Sequence, residues 1–298
     1  MRFLLSNDDG VHAPGLLALA QALSTIGEVV VVAPSEEQSG CASSLSVSKP
    51  LYAHQLPSGF VAVNGSPVDC IYLALHELYR DTDFDCIVTG INSGANLGQD
   101  VLFSGTFGAA LTAQIFGIPA IATSLVGGGV KGKKAGKRRG QEDASHYKVA
   151  AEEIAKLIRE TAILSMCKSL PYHVLNVNIP DVHSSAEIKG RKVTMLGHAQ
   201  IARPVHHMVD PRGRDAYWLS LRKRKNAHAA SVLHDEEGDE TTQLPDRQAL
   251  NPLYQQTYEV AGVMTDDKAV AENYISLSPV RLHHAPKAAL ETLSSLAL

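Results

Sequence analysis

Strand, helix and strand follow one another within the first 35 residues, and that order leaves few folds open. Residues 2–6, around Phe3-Leu4-Leu5, form a short apolar run. Pro14-Gly15 then opens a helix: proline suits a first helical turn, and Leu16, Leu19, Ala20 and Leu23 recur on one face. The run Val29 to Ala33 is apolar throughout, as expected of a strand covered on both faces, and Pro34 ends it. A strand–helix–strand unit of this length is right-handed and begins a parallel sheet. The alternation continues with a strand at 60–64, a helix at 68–78 after Gly65-Ser66-Pro67, and a strand at 86–89. A loop rich in Gly, Asn and Ser over 91–105, a small-residue helix at 105–113 and a strand at 119–123 follow. The expectation is an α/β protein with a Rossmann-like, doubly wound, mainly parallel sheet.

The regular pattern breaks after Gly127-Gly128-Gly129. Lys131, Lys133, Lys134, Lys137, Arg138 and Arg139 crowd a stretch lacking apolar side chains apart from Ala135, which reads as a solvated, flexible basic loop over 131–142 rather than a nucleic-acid contact. Helix periodicity returns with Tyr147, Ala150, Ala151, Ile154, Leu157 and Ile158, and a strand follows at 174–177. Beyond residue 183, strands at 192–196, 217–221 and 274–277 are separated by polar stretches such as 235–240. That spacing reads as an antiparallel C-terminal extension. The expected division is a catalytic core over 1–182 and an extension used in oligomerisation over 183–298.

Bulk properties exclude several classes. The net charge of -4 gives no overall bias toward nucleic acid or an anionic membrane. No apolar run approaches the roughly 20 residues that span a bilayer, and Met1 to Asp9 turns acidic too early for a secretory signal. Cys41, Cys70, Cys86 and Cys167 have neither metal-ligand spacing nor the density of a disulfide framework, so free thiols and a cytoplasmic location are expected.

Chemistry concentrates in three loops that each follow an expected strand: 7–15, 33–40 and 90–106. Adjacent carboxylates at Asp8 and Asp9 resist joint ionisation unless something positive shares the site, and oxygen donors of this kind suit magnesium, manganese or calcium. In a doubly wound sheet such loops converge on one crevice. Together they supply carboxylates, hydroxyl and amide oxygens, and a helix start at Gly105-Thr106 whose backbone N–H groups favour an anion. A cation site beside an anion site is what phosphoryl hydrolysis requires. Each element also has a plainer role: an Asp pair caps turns, Ser39-Gly40 is turn chemistry, Asn92 and Asn96 suit left-handed loop positions, and His12 serves as a loop hydrogen-bonder. His206-His207 and His283-His284 lack companion ligands and read as surface residues. The chain has no G-x-S-x-G elbow, and no G-x-G-x-x-G follows its first strand.

At these loops the chain resembles the survival protein SurE family of nucleotidases. The matching segments are S-N-D-D-G-V-H-A-P-G (6–15), A-P-S-E-E-Q-S-G (33–40), V-N-G-S-P-V-D-C (63–70) and G-I-N-S-G-A-N-L-G-Q-D-V-L-F-S-G-T (90–106). Patchier matches continue through H-V-L-N-V-N-I-P (173–180) and T-D-D-K-A-V-A-E-N-Y-I-S-L-S-P (265–279). The resemblance implies a metal-dependent phosphomonoesterase acting on nucleoside 5′- and often 3′-monophosphates, with short polyphosphate a further substrate in some members. It implies one magnesium or manganese ion per subunit, ligated by Asp8, Asp9, Ser39 and Asn92, with phosphate contacts from Gly40, Asn96, Ser104, Gly105 and Thr106. Asp8 and Asp9 would be the catalytic pair; either could accept the proton of an attacking water, and direct attack by a carboxylate is an alternative. A homodimer or homotetramer with exchanged C-terminal arms is implied, with no membrane and no stable nucleic-acid partner. The chain departs from the family pattern in the basic insertion at 131–139, at Gln99 in place of a common acidic residue, and at Asn273 where a glycine often precedes Tyr274.

Two other readings make different demands. A haloacid-dehalogenase-like phosphatase expects D-x-D after the first strand, whereas these carboxylates are adjacent. A non-catalytic receiver or nucleotide-sensing module with a divalent-metal site needs a lysine late in the sheet, and none is identifiable.

Overall fold

Ten strands pair side by side into one sheet in the computed structural model, which describes residues 1–127, 144–197, 205–219, 262–281 and 294. In chain order the elements are β1 (Arg2–Ser6), α1 (Pro14–Leu23), β2 (Glu28–Pro34), β3 (Ala53–Gln55), β4 (Val61–Val63), α2 (Pro67–Leu73), β5 (Cys86–Ser93), α3 (Gly105–Ile115), β6 (Ala120–Leu125), α4 (Lys148–Glu160), α5 (Ile163–Ser169), β7 (Val174–Ile179), β8 (Arg191–Met195), β9 (Val205–Val209), β10 (Asp215–Leu219), β11 (Met264–Thr265), α6 (Asp266–Ala271) and β12 (Ile275–Val280).

The sheet runs β11-β8-β12-β7-β6-β5-β1-β2-β4-β3. From β4 to β7 the neighbours are parallel, and the order 4-2-1-5-6-7 is that of a doubly wound Rossmann-like sheet. Helices cover both faces. On one, Leu16, Leu19 and Leu23 of α1 and Ile154, Leu157 and Ile158 of α4 pack on Phe3, Leu5 and Val88. On the other, Cys70 and Ile71 of α2 and Phe107, Ala109 and Ala113 of α3 pack on Leu4, Val32 and Ile87. Odd and even residues of β1 thus face opposite layers, which is why the central strands are apolar without alternation.

Local chemistry sets several boundaries. Pro67 suits the first turn of α2, and the side chain of Ser66 and that of Asp69 cap each other's backbone N–H. The helix expected over 68–78 ends at Leu73 and continues as a wider π turn over Ala74–Leu78. Asn273 has φ +64°, a left-handed conformation that asparagine tolerates better than most residues and glycine adopts freely.

The C-terminal strands enter this same sheet. β12 is antiparallel to β7 and parallel to β8, so it lies between them, and β11 borders β8. The expected division at 182/183 therefore falls inside one unit comprising Met1–Gly197 and the chain from Met264 onward. A second unit covers 198–263; its described part is an antiparallel hairpin of β9 and β10. There, exposed His207 contacts Asp215 at 2.8 Å. The basic stretch 131–142, the polar run 235–240 and His283-His284 lie outside the described residues. Among the described residues no helix is long and apolar enough to cross a membrane, and Cys41, Cys70, Cys86 and Cys167 are all free thiols.

Candidate active site

β1 has β2 on one side and β5 on the other, so the chain reverses its direction of travel across the sheet at β1/β5. Loops leaving the carboxyl ends of strands at such a switch point border a crevice. Asp8-Asp9 follow β1, Ser39-Gly40 follow β2, and the 94–104 loop follows β5.

Direct bonds join the three loops. The first turns at Gly10, whose φ of +100° suits glycine, and Asn7 Nδ2 donates to Gly10 O at 2.9 Å. The second loop reaches it through Gln38 N, which donates to Asp8 O at 2.7 Å. The third reaches both carboxylates: Ser93 N donates to Asp9 Oδ2 at 2.9 Å, and Thr106 Oγ1 donates to Asp8 Oδ1 at 2.5 Å. Ala42 N to Phe103 O, at 3.3 Å, links the second loop to the third.

Asp8 is buried at the start of α3. Burial pushes its carboxyl above the ordinary carboxylate range, against the opposing pull of the Thr106 hydroxyl and of the backbone N–H groups of Thr106 and Gly105. The helix start at Gly105-Thr106, expected to meet a phosphate, faces the Asp8 carboxyl here. Gly105 makes this approach feasible: a Cβ at that position would lie 2.7 Å from Cys41 Sγ and 2.9 Å from Asp8 Cβ. The Cys41 thiol is pushed up to about 11, by burial first and then by Asp8.

The remaining expected residues divide into two groups. Asn92 is half-buried at the end of β5 and donates Nδ2 to Gly94 O at 2.8 Å. Ser39 is exposed and donates to Glu37 Oε1 at 2.7 Å, and Gly40 beside it has φ +81°. Asn96 and Ser104 are buried and already engaged. Ser104 Oγ caps α3 by accepting from Phe107 N, and Asn96 Nδ2 donates to Ser124 Oγ at 2.9 Å. His12 lines a cavity of about 300 Å³ with Asp9, Glu36, Ser93 and Tyr147. A larger cavity of about 530 Å³ between α1 and α4, floored by Ala18, Ala22 and Ala151, holds none of the expected residues.

Sequence reasoning missed the residues that hold the third loop. Asn178 Oδ1 accepts from Asn96 N at 2.9 Å, while Asn176 Nδ2 and Asn178 Nδ2 donate to Asn96 O at 2.8 and 3.0 Å. Their signal was present: two asparagines two residues apart on one face of the otherwise apolar run 174–179. Asp266, whose Oδ2 accepts from Gly98 N at 2.8 Å, had no comparable local signal.

The donor set fits a hard divalent cation. Two carboxylates, a hydroxyl and a carboxamide offer only oxygen, and the buried Asp8 carboxylate is an anion for which a cation would offset the burial cost. Among the described residues no three His, Cys, Asp or Glu side chains cluster at metal-binding distance, so such a centre depends on Ser39 and Asn92 beside the acidic pair.

Known proteins resemble this chain along its whole length. A model of the family "Survival protein SurE" matches residues 3–203. The chain is 65% identical over 298 residues, all of both proteins, to the 5'-nucleotidase SurE of Psychrobacter cryohalolentis. It is 39% identical over 295 residues, 99% of each, to the 5'-nucleotidase SurE of Acinetobacter baylyi. The crystal structure of SurE protein from Aquifex aeolicus superposes with a TM-score of 0.69 at 29% identity, covering 99% of this chain and 98% of that one. The chain belongs to the survival protein SurE family.

Proposed function

We propose that the protein is a metal-dependent phosphomonoesterase that hydrolyses nucleoside 5′-monophosphates to nucleoside and phosphate, with 3′-monophosphates and short polyphosphate as further substrates. The observation that carries this reading is the Asp8 carboxylate, buried at the start of α3 and bonded to Thr106, next to Asp9 at the sheet's switch point. The 5'-nucleotidase names of the Psychrobacter and Acinetobacter relatives give the substrate class.

Asp8, Asp9, Ser39 and Asn92 would hold one magnesium or manganese ion per subunit, which when bound would supply positive charge for the phosphoryl oxygens and lower the pKa of water. Asp8 is the buried ligand, kept in place by Thr106 Oγ1. Either carboxylate could receive the proton of the attacking water; that Asp9 borders the cavity of about 300 Å³ supports Asp9. Gly40, Ser104, Gly105 and Thr106 receive the phosphate at the positive end of α3, where the Gly105 and Thr106 N–H groups are shared with the Asp8 carboxyl they already face. Asn96 joins them by exchanging its bond to Ser124 for one to a phosphate oxygen. Charge then develops against the backbone donors at the start of α3.

The assembly that fits this reading is a homodimer or homotetramer with exchanged C-terminal arms. An isolated two-stranded hairpin is marginal in water, and β9 and β10 carry exposed Val205, Val209 and Tyr217 that a second subunit would cover. The free cysteines suit a cytoplasmic location.

The test is phosphate release from a panel of 5′- and 3′-nucleoside monophosphates and polyphosphate, with magnesium, manganese or EDTA. Turnover of nucleoside monophosphates that disappears in EDTA and in D9N is expected. Full activity in chelator, or tight nucleotide binding with no turnover, would overturn the reading.

A further inference from the structure

Asp266 is fully buried at the first position of α6, and its carboxylate takes N–H donors from three places. Oδ2 accepts from Gly98 N at 2.8 Å; Oδ1 accepts from Gly197 N at 2.8 Å and from Asp267 N at 2.9 Å. Gly98 belongs to the loop between Asn92 and Thr106, two residues beyond Asn96. Gly197 is the last residue before the 198–263 unit, and Met264, two residues before Asp266, is the first after it. One side chain thus joins the loop between Asn92 and Thr106 to the segment that follows β8.

The chemistry is specific to a carboxylate. Three donors converge on two oxygens, and the N–H groups of Gly98, Gly197 and Asp267 pull against burial and the neighbouring Asp267, which together hold the carboxyl above the ordinary range. An asparagine has one acceptor oxygen. Placed toward the pair of donors at Gly197 and Asp267, it would turn an N–H₂ group against the N–H of Gly98 and release the loop. The loop's other inner fastening, Asn176 and Asn178 on Asn96, comes from β7 and would persist.

We propose that Asp266 is a positioning residue for the reaction: through Gly98 it sets the placement of the 92–106 loop, and through Gly197 it fastens that loop to the segment that follows β8. The proposal rests on the phosphomonoesterase reading. Asp266 touches none of the expected metal or phosphate groups, so its effect is on geometry; a loop misplaced by about 1 Å can cost on the order of a hundredfold in rate.

The test compares wild type with D266N by steady-state kinetics and by hydrogen exchange of the intact protein. The expected result is a kcat at least tenfold lower with KM changed less than threefold, together with faster exchange in peptides covering 94–102 and unchanged exchange in β1 and β7. D266E, which keeps charge and acceptor count but is longer, should fold and show the same kcat-selective loss, and it serves if D266N does not fold. Wild-type kcat in folded D266N or D266E, unaltered exchange at 94–102, or a rate loss that only follows the folded fraction would overturn the proposal. A wild-type protein that hydrolyses no phosphate ester would instead overturn the phosphomonoesterase reading, while the exchange comparison would still report on the loop.

Discussion

Asp8 and Asp9 are neighbours in sequence but occupy different environments. Asp8 is buried against α3, whereas Asp9 borders a cavity and accepts from Ser93. In the absence of a cation the buried carboxylate carries a desolvation cost that burial makes explicit in its raised proton affinity. D8N keeps the shape and an acceptor for Thr106 while removing that charge. In chelator, D8N should therefore melt at or above the wild-type temperature. Added magnesium or manganese should stabilise wild type alone, by about 2.7 kcal/mol at a hundred times the dissociation constant. Thermal melts with and without metal check this, and a markedly destabilised D8N in chelator would contradict it. The acidic pair was legible from sequence because adjacent carboxylates after an apolar strand are electrostatically conspicuous. Asp266 was not, since its three partners lie in backbone at Gly98, Gly197 and Asp267, and nothing local distinguishes it from Asp267.

Two elements convert the sheet into a site. α3 brings its first turn against Asp8, and only a glycine at 105 permits the approach. G105A should displace Asp8 or Cys41, costing about 1–3 kcal/mol as an overpacked core position does, and should lower activity more than stability alone explains; chemical unfolding beside phosphate-release assays would separate the two. β7 presents Asn176 and Asn178 to the backbone of Asn96. N178A leaves the buried N–H of Asn96 without its acceptor, a loss of about 1–3 kcal/mol, measurable by denaturant unfolding. Elements with strong period were readable: β1, α1, β2 and α4 fall within a few residues of expectation. Weakly patterned ones were not. β3 is three residues long, α5 and α6 are seven and six, and none sustains a periodic face. The π turn after α2 likewise follows from packing rather than from residue preference.

Across the whole molecule, function follows from strand order. The chain moves outward from β1 through β2 to β4, returns to β5 on the other side of β1, and leaves the crevice at that reversal. The alternation of elements made a doubly wound sheet legible, and the family resemblance supplied its chemistry. The insertion of β12 between β7 and β8 was hidden because its partners are about a hundred residues distant in sequence, and strand pairing at that range leaves no local trace. It has a consequence for truncation. A chain ending at residue 182 loses β12 from the edge of β7 and also loses Asp266, so it should be insoluble or bind ANS strongly, whereas the full chain should do neither. The central claim, that the switch point is a divalent-metal centre built on the acidic pair, is tested most directly by manganese binding to the full-length protein, followed by electron paramagnetic resonance. The account predicts one bound ion per subunit in wild type and loss of that ion in D8N and D9N; a wild type that binds no manganese, or variants that bind it as well as wild type, would contradict it.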